Sequence, residues 1–164
     1  MANNLLDLED IITEMRTQWT GFRCDEGQAN NNGFHFGWAH EVDELHNKNL
    51  PLMVVNPPSA SLTIDDIEHQ YGKSTNQFTI QIYEYVPSTM YGQNSVYISS
   101  RWDNIENCFY VWLENLLNTL TPQKCVLSSG TLNITRTKDA SNDALLMSQF
   151  TFNLLTYRKC LTLN

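Results

Sequence analysis

Residues 101–120 carry the pattern that most restricts what this chain can fold into. Trp102, Ile105, Phe109, Trp112, Leu116 and Leu120 recur at spacings of three and four, with Leu113 and Leu117 alongside. On a 3.6-residue repeat these side chains form one apolar stripe, so the segment reads as a helix with that stripe buried. Ser100 and Asp103 approximate a capping box at its start, and Thr121-Pro122 ends it. Burial of such side chains is worth on the order of 1.5–3 kcal/mol each before entropy costs. The helix is therefore expected to organise the core.

A second amphipathic helix is predicted over residues 4–19, where Leu5, Leu8, Ile12, Met15 and Trp19 share a face. Asn3 or Asn4 can cap it, and Gly21 ends it. Residues 21–50 are the least regular segment. Gly27, Asn30-Asn31-Asn32, Gly33 and Gly37 predict a long loop, and the interleaved Phe34, Phe36 and Trp38 require it to dock on something. Residues 39–47 suggest a short helix within it.

Strand patterns fill the remainder. Residues 51–56 read as a short buried strand closed by Pro57-Pro58. From Phe78 to Val86 the alternation is clear: Phe78, Ile80, Ile82 and Val86 share one face, with Glu84 as the exception. Thr79, Gln81, Tyr83 and Tyr85 share the other. Residues 124–137 and 144–161 read as two further strands, with Gly130 as a bend and a polar connection from Lys138 to Asp143. At roughly 3.3 Å per residue this hairpin reaches about 40 Å, enough for its tip to project. Residues 61–67 are ambiguous, and a helix start at Asp65-Asp66 is expected there.

The fold class that follows is α+β. It consists of a mostly antiparallel four-stranded sheet with two amphipathic helices packed on one face, a long loop at 21–50 and a long C-terminal β-hairpin. All of it forms a single domain over residues 1–164.

Composition narrows the function. Ten basic residues face eighteen acidic ones, for a formal net charge of −8. That balance argues against a surface that grips phosphates. Only 17% of residues are charged, and Asn, Thr, Ser and Gln supply the polarity instead. A typical soluble domain carries about 25%. Two readings fit: a subunit whose surface is covered by neighbours, or a codon bias that favours Asn. Cys24, Cys108, Cys125 and Cys160 show no CxxC spacing and read as reduced thiols of a cytosolic protein. The first residues lack the basic start and apolar run of a signal peptide, and no stretch is apolar for long enough to span a membrane.

Catalytic patterns find little support. His35, His40 and His46 lie near Glu41, Asp43 and Glu44, but His40 and His46 are not four apart as a zinc-protease helix requires. There is no G-x-S-x-G elbow and no glycine-rich phosphate loop. The chain is expected to be no enzyme and to need no metal or cofactor. The aromatic residues are more informative. Tyr83 and Tyr85 on the polar side of their strand, and Phe34, Phe36 and Trp38 in the long loop, either cover the chain's own loops or form an interface.

The order of elements resembles that of the tail-terminator and tail-completion proteins of tailed bacteriophages. The likeness is carried by the helix Leu5–Trp19, the strand Phe78–Val86, the helix Trp102–Leu120 and the hairpin Lys124–Leu161. It covers most of the chain and lies in architecture rather than motif, and the loop 21–50 departs from it. The resemblance implies a structural virion protein that forms a ring with copies of itself, sixfold or twelvefold, and contacts adjacent virion proteins at the neck or tail end. DNA would pass through the ring without specific binding, and no membrane would be involved. Candidate interface residues are Phe34, Phe36, Trp38, Tyr83, Tyr85, Lys138, Asp139 and Asn142. The alternative is a cellular domain that binds a small ligand or a protein through the aromatic loop, in a cavity lined by Trp38, Phe34 and Tyr83.

Overall fold

The structure, a computed structural model, describes residues 7–24, 32–42, 49–66, 71–85, 95–120, 125–127, 132–139 and 145–159. Among the described residues two helices, α1 (Leu8–Thr20) and α2 (Ser95–Leu120), accompany seven strands in one sheet. The strands are β1 (Gly33–Phe36), β2 (Leu52–Val55), β3 (Ser59–Asp66), β4 (Tyr71–Tyr85), β5 (Cys125–Leu127), β6 (Asn133–Asp139) and β7 (Leu145–Lys159). The class is α+β and the sheet is mostly antiparallel, but it is wider than the four strands that alternation reveals.

Two long strands form its centre. β4 and β7 pair antiparallel from Tyr71 opposite Lys159 to Tyr85 opposite Leu145, without a break. Each long strand carries two short strands end to end on its outer side. β2 and β3 occupy successive stretches of β4, and β6 and β5 successive stretches of β7. β1 adds to β2 in parallel, the one such pair among the described residues.

Both helices pack on one face. Phe78, Ile80 and Ile82 of β4 and Leu146, Phe150, Phe152 and Leu154 of β7 meet Ile11, Met15 and Trp19 of α1 and Ile105, Phe109, Trp112, Leu116 and Leu120 of α2 in one core. Aromatic rings run through it as a column. Trp19 meets Trp112 edge-on at 6.3 Å, Trp112 leans on Phe109 at 5.6 Å, and Phe109 stacks on Phe150.

Several expectations change. α1 begins at Leu8, capped by Asp7, whose side chain accepts from the Asp10 N–H while Asp10 answers the Asp7 N–H. The proposed caps Asn3 and Asn4 lie outside the described residues. α2 begins at Ser95, a full turn and more before the expected start. Ile98 is buried and extends the apolar stripe, and the Ser100 hydroxyl donates back to the Tyr97 carbonyl instead of capping. Asp65 and Asp66 belong to β3, at a register shift, and start no helix.

The loop 21–50 is more ordered than its composition suggests. Among the described residues it contains β1 and a 3-10 turn, Ala39–Glu41, at the start of the expected short helix; residues 43–47 of that helix lie outside the described residues. Gly33 seats β1: a Cβ there would stand 2.4 Å from the Asn49 carbonyl oxygen, a contact no side chain tolerates. The buried Asn32 side chain donates to the carbonyls of Trp19 (3.1 Å) and Phe22 (2.8 Å), and the Trp19 indole N–H donates to the Gly33 carbonyl. These bonds tie the end of α1 and the residues after it to the start of β1.

Over its described residues the C-terminal hairpin is part of the sheet. β6 pairs with Leu145–Thr151 only, and β4 flanks β7 to its first residue. The connection after Asp139, and Gly130, lie outside the described residues.

Candidate functional site

The face of the sheet opposite the helices is the most unusual surface of the molecule. Alternation and register place its side chains in rows. One row runs Gln77 to Asn153, the next Thr79 to Thr151 to Asn133, then Gln81 to Gln149 to Thr135, then Tyr83 to Met147 to Thr137. Ser59 and Ser61 continue the face on β3. From Thr75 to Tyr83 on β4 and from Met147 to Leu155 on β7, every outward position is an amide, a hydroxyl, a methionine or a leucine, and none is charged.

These side chains bond within and between the rows. Gln81 Nε2 donates to Gln149 Oε1 at 3.1 Å, the Thr79 and Thr151 hydroxyls stand 3.5 Å apart, and the Tyr83 hydroxyl donates to Gln81 Oε1 at 3.3 Å. They remain half-buried, and among the described residues no helix lies over them. At one end Leu52, Val54 and Leu145 are buried although they belong to this face and stand outside the helix-side core, so that margin is covered.

The predicted interface residues divide between the two faces and two edges. Tyr83 sits on this face at its end, opposite Leu52 and next to the covered margin. Tyr85 ends β4, paired with Leu145. Phe34 and Phe36 point to the helix side of β1, because their partners Met53 and Val55 belong to the core. Phe34 packs against that core, and the Arg16 guanidinium lies over its ring at 5.3 Å. Phe36 and Trp38 remain exposed, at 37% and 46%. Lys138 and Asp139 end β6 and are not turn residues. Asn142 lies outside the described residues.

Phe34 and Tyr83 therefore face opposite sides of the sheet and cannot line one cavity with Trp38. The small-ligand pocket expected of the alternative reading does not form from these residues.

The histidine cluster is described at His35 and His40. His35 Nε2 meets Glu41 Oε2 at 3.2 Å, and the same oxygen accepts the Trp38 backbone N–H at 2.8 Å. The Trp38 amide, then His35, hold the Glu41 carboxyl below its ordinary range. His40 is exposed, and His46 lies outside the described residues. Among the described residues no three His, Cys, Asp or Glu side chains come close enough to share a metal ion.

One feature escaped the sequence. A groove of about 300 Å³ opens between α2 and β6, lined by Ser99, Trp102, Asp103 and Arg136. Glu106, nearly buried on α2, fixes the Arg136 guanidinium with bonds of 2.5 and 3.0 Å. That bidentate contact holds Arg136 protonated even more firmly than usual. Only the register of β6 on β7 brings Arg136 to the helix side, so no local pattern announces it.

No helix of the described residues is long and apolar enough to cross a membrane. No protein-family model matches the chain, and no curated protein matches it.

Proposed function

We propose that this chain is a structural subunit that assembles with copies of itself into a ring, and that the ring belongs to the head–tail junction or tail end of a tailed bacteriophage. The observation that carries the reading is the uncharged, hydrogen-bonded sheet face. A solitary acidic domain keeps ions on its outer surfaces, whereas a surface destined for a neighbour or an enclosed lumen avoids the cost of desolvating them. With a net charge of −8, the molecule places its carboxylates elsewhere. A lumen lined by amides and hydroxyls would let DNA pass without counterion release and without sticking.

The exposed Phe36 and Trp38 support the same reading. They are not tucked beneath the chain's own loops. Large aromatics at a surface are the residues on which protein interfaces depend most.

The experiment is direct. Electron microscopy and native mass spectrometry of the purified chain at high concentration are expected to show closed rings, and proteomics of purified phage particles should recover its peptides. A strict monomer that is also absent from particles would overturn the proposal.

A further inference from the structure

The two outer strands at the upper end of the sheet are complementary to each other. β1 forms one edge and β6 the other, and among the described residues neither has a second strand partner. β6 pairs along all seven residues with no register shift and holds no proline, so its outer side presents an unbroken row of backbone groups. Edges of that kind are templates for an added strand. On β1, the N–H groups of Gly33 and Gly37 point to β2, so alternation turns those of Phe34 and Phe36 outward.

Strand directions agree with a junction. β1 runs parallel to β2, β2 antiparallel to β4, β4 antiparallel to β7, and β7 antiparallel to β6. β1 and β6 therefore run in opposite directions. Two copies standing side by side in the same orientation would bring β6 of one against β1 of the other as an antiparallel pair, with all helices on one side.

Side chains agree as well. On the helix side of β1, Phe36 protrudes, and Trp38 follows it. On the helix side of β6 lies the groove of Ser99, Trp102, Asp103 and Arg136. In the ladder Phe36 stands on the row of Ile134, one pleat from Arg136. The groove offers an aromatic wall from Trp102 and a guanidinium held by Glu106.

We infer that copies of this chain join head to tail, β1 of one adding to β6 of the next, with Phe36 and Trp38 of the first filling the groove between α2 and β6 of the second. The inference rests on the ring reading above and names the interface that would close the ring. Such a contact is heterologous, and repeated by rotation it either closes or runs on.

The test uses the full chain in sedimentation velocity at high concentration. Phe36→Ser with Trp38→Ser removes the knob, and Ser99→Arg fills the groove from an exposed helix position; circular dichroism checks that both fold. Each variant alone should sediment as a monomer where the wild type is a ring. Mixed together they should form a dimer and nothing larger, because one knob and one groove remain intact. If both variants assemble like the wild type, this interface is wrong and the ring reading stands. If only Ser99→Arg dissociates the assembly, β6 pairs with its own copy across a twofold axis and the head-to-tail contact is overturned. A monomeric wild type overturns the interface, and the ring reading falls with it only if the chain's peptides are also absent from phage particles.

Discussion

The rings of Phe109 and Phe150 stack with their centroids 3.7 Å apart and their planes within 8° of parallel. This contact joins the middle of α2 to the middle of β7, and both side chains are fully buried. Phe109→Ala or Phe150→Ala is expected to destabilise the fold by about 3–5 kcal/mol through lost burial and the cavity left behind. Urea unfolding measures it. A double-mutant cycle with leucine at both positions should give a coupling of about 0.5–1.5 kcal/mol, the part owed to the ring pair itself.

Arg101 pairs with Glu84, whose carboxylate is almost wholly buried and whose second oxygen has no partner among the described residues. Arg101→Met would leave that charge uncompensated and cost about 3 kcal/mol. Replacing both, with Leu in place of Glu84, should recover most of the loss. Thermal unfolding of the single and double variants checks the order.

Asn32→Asp keeps the shape of the side chain but removes both donors to the Trp19 and Phe22 carbonyls. The expected loss is about 1–3 kcal/mol, because the site is buried. Hydrogen exchange should speed up at the end of α1 and along β1 before it changes in β4 and β7.

Glu41 supplies a pH dependence. Its carboxyl is held below its ordinary value of 4.5, first by the Trp38 amide and then by His35. A carboxyl depressed in the fold stabilises it above the unfolded value, and that contribution is lost as pH falls through the lower folded value. The Trp38 amide resonance should therefore shift below pH 4.5, tracking the carboxyl carbon of Glu41. In Glu41→Gln that shift should vanish.

The elements visible in the sequence were those whose stability is local. The stripe from Ile105 to Leu120 needs no knowledge of its partners, and neither does the alternation of Phe78, Ile80 and Ile82. The first half of β4 stayed hidden because polar residues face inward there. Ser74 and Asn76 are buried, and they are satisfied across the sheet by Thr156, which bonds to the Asn76 amide and the Ser74 carbonyl. β1 stayed hidden because a four-residue parallel strand between Gly33 and Gly37 has too little alternation to read. It is held by Asn32, Trp19 and Asn49, contacts that exist only after folding.

The candidate surface was legible in part for the same reason. Alternation placed Tyr83 with Thr79 and Gln81 on a polar side, and the structure agrees. Lys138 and Asp139 looked like turn residues because their composition is that of a turn, whereas the ladder with Leu146 and Leu145 keeps them in strand. The groove beside Arg136 depends on a pairing between segments far apart in sequence, and Trp102 was assigned to the core stripe that it borders.

The central pairing of β4 with β7 also sets how the chain must come into being. Thr79 meets Thr151 across 72 positions of sequence. A strand emerging from the ribosome cannot find a partner that has yet to be translated. Until then β4 waits with one flank bare, and the topology belongs to the slower folding regime in which distant segments must meet first. The glutamines, asparagine and threonines along that strand make the wait tolerable, since they are solvated where a row of valines would recruit a neighbouring nascent chain.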